Sequence, residues 1–210
     1  IYVANKVGSE AIGIFSLLMS VYSFAITVAT SGIGIACTCI VSEEFAKKNY
    51  ENGLKAVKTS IIFAILLGIS SSILIILFAP LISSTWLKDS VSEIPIYLIS
   101  LGLPLISVSS VIGGYFSSVE KPYKSAISQI LETSVKIIAT IYLLYMNPSK
   151  DVESICISLI LADVISEIFS FSLNILFYKI DKQKYISKRS LPIQMKKKIF
   201  TIAFPISITS

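Results

Sequence analysis

Four ionisable residues interrupt otherwise apolar stretches of this sequence: Glu132 and Lys136 within residues 125–146, and Asp163 and Glu167 within residues 154–178. An ionised side chain near the centre of a bilayer costs about 2.5 to 3.5 kcal/mol, so four of them together cost on the order of 10 kcal/mol unless they meet partners or water. Each pair is spaced by four residues, which places both members on one helical face, and Glu ahead of Lys is the favourable order for an ion pair. At a rise of about 1.5 Å per residue, Glu132 and Lys136 fall about 15 and 21 Å beyond Pro122, and Asp163 and Glu167 about 15 and 21 Å beyond Glu153. The two helices are predicted to run antiparallel, so both pairs reach mid-membrane and face one another. With all four ionised the charges sum to −2, so a coupling Na+ or H+ is expected to make up the balance. Two readings follow. The group is either a structural cluster that fixes helix packing, or the lining of a polar central cavity; intramembrane ionisable residues as a rule mark pathways, which favours the second.

The elements that carry these residues are set by the distribution of charge. The chain has 210 residues, 54% hydrophobic and 15% charged, with a mean hydropathy of +0.80. Residues 11–41, 59–87 and 94–119 hold no charged side chain, and each run exceeds the roughly 20 residues that cross a bilayer core. With 125–146 and 154–178 this predicts an all-α integral membrane protein of five spans. Residues 1–10 are expected as an external loop, 11–198 as one transmembrane bundle, and 199–210 as the truncated start of a further span. The stretch 147–153, which reads NPSKDVE, is predicted as a turn, because the residue before proline avoids helix.

Lysine and arginine are distributed unevenly between alternate loops. Lys6, Lys88 and Lys150 fall on one side. Lys47, Lys48, Lys55, Lys58, Lys121, Lys124 and the eight basic residues of 179–198 fall on the other. The positive-inside rule makes the second side cytoplasmic in a bacterial plasma membrane. The net charge of +5 is explained by this topology and by anionic headgroups; the basic residues have no aromatic interleaving, which argues against nucleic acid.

Enzymatic chemistry has no visible footing. There is no histidine, no Gly-rich phosphate loop, no G-x-S-x-G and no acidic metal cluster in a loop, so neither catalytic nor metal-binding residues are expected. Cys37 and Cys39 point to different helical faces and, with Cys156, read as small apolar side chains. Gly32 and Gly34 punctuate the first span and Gly102, Pro104, Gly113 and Gly114 the third. They are expected to act either as hinges in broken helices or as close-packing positions.

Two groups of residues carry a family resemblance. The first is Gly8-Ser9-Glu10-Ala11-Ile12-Gly13-Ile14-Phe15 with Ala29-Thr30-Ser31-Gly32-Ile33 and Ser42-Glu43-Glu44. The second is Gly114-Tyr115-Phe116 followed by Pro122, Ala126, Ser128, Gln129, Ile130, Glu132, Val135 and Lys136. They resemble the second span, and the Gly-Tyr-Phe turn leading into a P-x-x-x-A-x-S-Q-I-x-E-x-x-V-(R/K) helix, of the stage V sporulation protein B and polysaccharide-exporter family. That family belongs to the multidrug/oligosaccharidyl-lipid/polysaccharide (MOP) flippase superfamily. Ala203-Phe204-Pro205-Ile206 looks like the start of its seventh span. Gly113 stands where relatives often have Arg, and Ser117-Ser118 where they have Gln-Gly.

The resemblance implies a MATE-like fold of which this chain forms the first lobe without its first helix. It also implies alternating access that moves a polyprenyl-linked saccharide or peptidoglycan precursor to the outer leaflet. Lys136 stands at the family's basic position in the fifth span. It is expected to pair with the diphosphate of the lipid-linked substrate while Glu132, Asp163 and Glu167 set cavity polarity or bind the coupling cation. The alternatives are a drug or cation antiporter of the same fold and a non-transporting scaffold that recruits cell-wall synthesis proteins through residues 179–198.

Overall fold

The computed structural model describes residues 9–30, 32–85, 92–147 and 151–186. They form six helices: α1 (Ser9–Thr30), α2 (Ile33–Ala46), α3 (Tyr50–Thr85), α4 (Ile94–Ser118), α5 (Pro122–Met146) and α6 (Val152–Ile186). By length and composition these supply five membrane spans, α1 and α2 together making the first. The chain is an all-α, multi-pass membrane protein.

Helix is the backbone solution because lipid offers no partner for a free N–H or C=O. Several hydroxyls on α1 are satisfied the same way. Ser16, Ser20, Thr27 and Thr30 each donate to the carbonyl four residues earlier on α1, at 2.8–3.0 Å. Gly32 divides α1 from α2: its φ of 70° lies in the left-handed region, where a Cβ is strained.

Helix α4 is the hub, packed against α1, α2, α3, α5 and α6. It approaches its neighbours through small residues. A Cβ on Gly68 of α3 would lie 2.6 Å from the Pro104 Cα, and one on Gly114 would strike the Gly34 carbonyl of α2. Pro104 lacks an N–H, which frees the Ser100 carbonyl. Ser72 of α3 donates its hydroxyl to that oxygen at 2.6 Å, so the proline is accommodated without a break. The outer face of α3 exposes Ile62, Leu66, Ile69, Ile73 and Leu77, a helical stripe of the kind that meets lipid.

The ends of α2, α4 and α6 and the starts of α3 and α5 converge on one side of the bundle. Phe45, Tyr50 and Tyr185 stack there with centroids 5.0–5.4 Å apart. Beside them Asp181 is fully buried. It accepts hydrogen bonds from Tyr115 at 3.0 Å, Lys121 at 2.7 Å and Lys124 at 2.8 Å, tying α4 and α5 to α6. Burial alone would lower the Lys121 pKa, but its bond to Asp181 more than offsets this and holds it above the ordinary lysine value.

Several expectations need correction. The first span is two helices and runs to Ala46 rather than ending at 41. The second begins at Tyr50 rather than 59, and the fifth continues to Ile186 rather than 178. In each case the added turns are charged and lie on the basic side, where they pack through aliphatic stems and rings. Gly114-Tyr115-Phe116 is not a turn but lies inside α4, and Gly102 and Pro104 do not break that helix. The loop expected at 1–10, Lys88, Lys150, the segment beyond Ile186 and the further span at 199–210 lie wholly or largely outside the described residues.

The Asp181 clamp makes an asymmetric prediction. Asp181→Ala, which leaves two largely covered ammonium groups facing each other, should lower unfolding free energy by about 3 kcal/mol. Lys121→Ala leaves Lys124 to neutralise the carboxylate and should cost no more than about 1.5 kcal/mol. Thermal unfolding of the purified protein in detergent reads the order directly, and equal losses would mean that Asp181 does not organise this end.

Candidate functional site

The mid-membrane site is built from α1, α4, α5 and α6. Lys136 of α5 does not pair with Glu132, one turn back on its own helix. It reaches across to α6, where its Nζ lies 2.5 Å from Asp163 Oδ1. The partners differ in access: the Lys136 side chain is 46% exposed and that of Asp163 only 8%. The ammonium is thus anchored at one end by a buried carboxylate and open at the other.

One turn further along α6, Glu167 is buried and accepts a hydrogen bond from the Tyr22 hydroxyl of α1. Gly102 of α4 makes this possible. A Cβ there would collide with both Glu167 Oε2 and the Tyr22 hydroxyl, so a bare backbone at 102 leaves room for the pair. Glu132, Lys136, Asp163, Glu167 and Tyr22 all line one cavity of about 240 Å³, with Met19 and Ile26 as apolar neighbours in its wall. The four ionisable residues singled out from spacing therefore share one space. Lys136 and Asp163 are in direct contact across helices.

The glycines and the proline fall at different places. Gly32 forms the α1–α2 break and, with Gly34 and Gly114, lines a neighbouring cavity of about 420 Å³. Gly102 supports the site itself, Pro104 packs on Gly68, and a Cβ on Gly113 would approach only Ser125 Oγ, at 3.3 Å. Spacing alone does not reveal Tyr22, because a tyrosine in a charge-free span has no local signal; its role appears only with Glu167. Asp181 is hidden among lysines that read as topology. Cys37 and Cys156 are buried, Cys39 is exposed and none of the three is in a disulfide; among the described residues no three His, Cys, Asp or Glu side chains gather as metal ligands.

An ammonium held by one carboxylate and half open to a polar cavity can exchange that partner for another anion, and a buried carboxyl bonded to a phenol can hold a proton or cation. The chain is 26% identical to stage V sporulation protein B of Bacillus subtilis (strain 168) over 99% of its own length and 40% of that protein's. It is also 26% identical to the lipid II flippase MurJ of the same organism, over 63% of this chain and 26% of that protein. The chain thus spans less than half the length of these relatives, and no solved structure matches it. The family model described as polysaccharide biosynthesis protein matches residues 1–210, and with that match over its whole length this five-span bundle belongs to the polysaccharide biosynthesis protein family.

Proposed function

We propose that the protein is a flippase or exporter that moves a polyprenyl-linked saccharide or peptidoglycan precursor from the cytoplasmic to the outer leaflet by alternating access. The observation that carries this reading is the half-open Lys136–Asp163 pair in the wall of a polar cavity at mid-span. In the empty site Asp163 holds the ammonium. When a diphosphate enters, Lys136 turns to it, because ammonium–phosphate and ammonium–carboxylate bonds are both charge-assisted and of comparable strength. Asp163 then competes for the ammonium and favours release. Glu132, on the same wall, repels an anion that strays from Lys136, and Glu167 with Tyr22 offers a place for a coupling Na+ or H+. The basic end, with Lys47, Lys121 and Lys124, faces the cytoplasm.

A second reading has one specific observation in its favour: the cavity holds three carboxylates and one ammonium, which suits a cationic drug or ion carried by an antiporter of the same architecture.

Two measurements separate them. Leaflet accessibility of a labelled lipid-linked saccharide, in vesicles carrying the full-length protein, should show transfer that falls about tenfold or more in Lys136→Gln and recovers substantially in Lys136→Arg. Transfer at the normal rate in Lys136→Gln would overturn a mechanism in which Lys136 passes from Asp163 to the diphosphate. Efflux of a cationic dye should be absent; dye efflux abolished by Glu132→Gln or Asp163→Asn would establish the antiporter.

A further inference from the structure

Where α5 begins, Lys121 and Lys124 carry a charge that the bundle leaves unanswered. Both donate to the same oxygen, Asp181 Oδ1, at 2.7 and 2.8 Å. Among the described residues Asp181 is the one carboxylate that either lysine meets, so the cluster keeps one positive charge in excess. The two side chains are only 22% and 16% exposed, and a largely covered charge without a counter-ion is costly.

The surroundings select the counter-ion. An ammonium has three N–H donors, of which Asp181 takes one from each lysine. Two nitrogens bonded to one oxygen stand close enough for a single phosphate to accept from both. The rings of Tyr185 and Phe116, 5.5 and 5.4 Å from the Lys121 and Lys124 nitrogens, hold them in that arrangement. Helix α5 starts here without a side-chain cap, and its positive dipole end adds to the field. Deeper in the membrane, Ile127 and Leu131 share the helical face of Lys124 and are exposed. They lie about 4.5 and 10.5 Å further along the axis, within the roughly 15 Å of one hydrocarbon leaflet. Ser125, Gln129, Glu132 and Lys136, on the other side of α5, line the polar cavities. A soluble anion makes no use of the apolar strip, whereas a phospholipid covers it with an acyl chain. A zwitterionic headgroup brings its own cation and leaves the excess charge in place; an anionic one removes it.

We propose that Lys121 and Lys124 form a binding site for an anionic phospholipid of the leaflet at the basic end. Its phosphate bridges the two ammonium groups beside Asp181, and one acyl chain lies on Ile127 and Leu131. The site is separate from the Lys136 cavity and does not depend on what that cavity carries.

The test is native mass spectrometry of the full-length protein in detergent, titrated with phosphatidylglycerol and with phosphatidylcholine. Phosphatidylglycerol should bind about tenfold more tightly. Lys124→Gln should weaken it about three- to tenfold, and Lys124→Arg, which keeps the charge, should stay within about twofold. Lys121 remains to neutralise Asp181 in both variants, which guards against a folding defect. Lys47→Gln, which removes an exposed lysine paired with Glu43, should also stay within about twofold, and inorganic phosphate in large excess should not displace the lipid. Equal affinity for the two lipids would overturn the proposal by removing the need for charge. Equal losses in Lys47→Gln and Lys124→Gln would overturn it by making the attraction diffuse, and displacement by phosphate would make a soluble anion the ligand.

Discussion

A carboxylate at the middle of a bilayer has no water to stabilise it and must be met from another helix. Asp163 and Glu167 impose that requirement on the whole bundle. Asp163 is answered by Lys136 from α5, which fixes how α5 lies against α6. Glu167 is answered by Tyr22 from α1, which draws the first span onto α6. Gly102 on α4 must then carry no side chain, since the space beside it is taken by that bond. One constraint on charge thus sets the relation of four helices.

The bundle is fastened differently along its length. At the basic end Asp181 gathers Tyr115, Lys121 and Lys124 beneath a cluster of aromatic rings, a bonded and densely packed arrangement. Towards the middle, Gly32 interrupts the first span, Pro104 leaves a carbonyl to be satisfied by Ser72, and polar cavities separate the helices. Dense packing therefore sits at the basic end and open polar space further along the bundle.

Much of this is legible in the sequence because membrane insertion is written in long charge-free runs. Three of the five spans follow from where charges are absent and two from apolar runs with a pair of charges each, and the depth of Glu132, Lys136, Asp163 and Glu167 follows from helical rise alone. What cannot be read depends on which helices touch. Spacing favours Glu132 as the partner of Lys136, but the stronger claim comes from Asp163, whose burial makes an unpaired charge costlier. The cross-helix roles of Tyr22 and Asp181 have no signature in local periodicity. Gly-Tyr-Phe reads as a turn from the family resemblance, yet the glycine serves α4 by letting α2 approach and the tyrosine by reaching Asp181.

The central claim is that the Lys136–Asp163 pair, besides holding α5 against α6, exchanges its partner during transport, and removing both charges together tests it most directly. A Lys136→Met, Asp163→Leu double variant removes the pair without leaving either of its two charges alone and should keep its thermal stability. In vesicles carrying the full-length protein, transfer of a labelled lipid-linked saccharide between leaflets is predicted to be lost in this stable variant. Transfer at the unsubstituted rate would show that the pair only holds α5 to α6, and would contradict the mechanism.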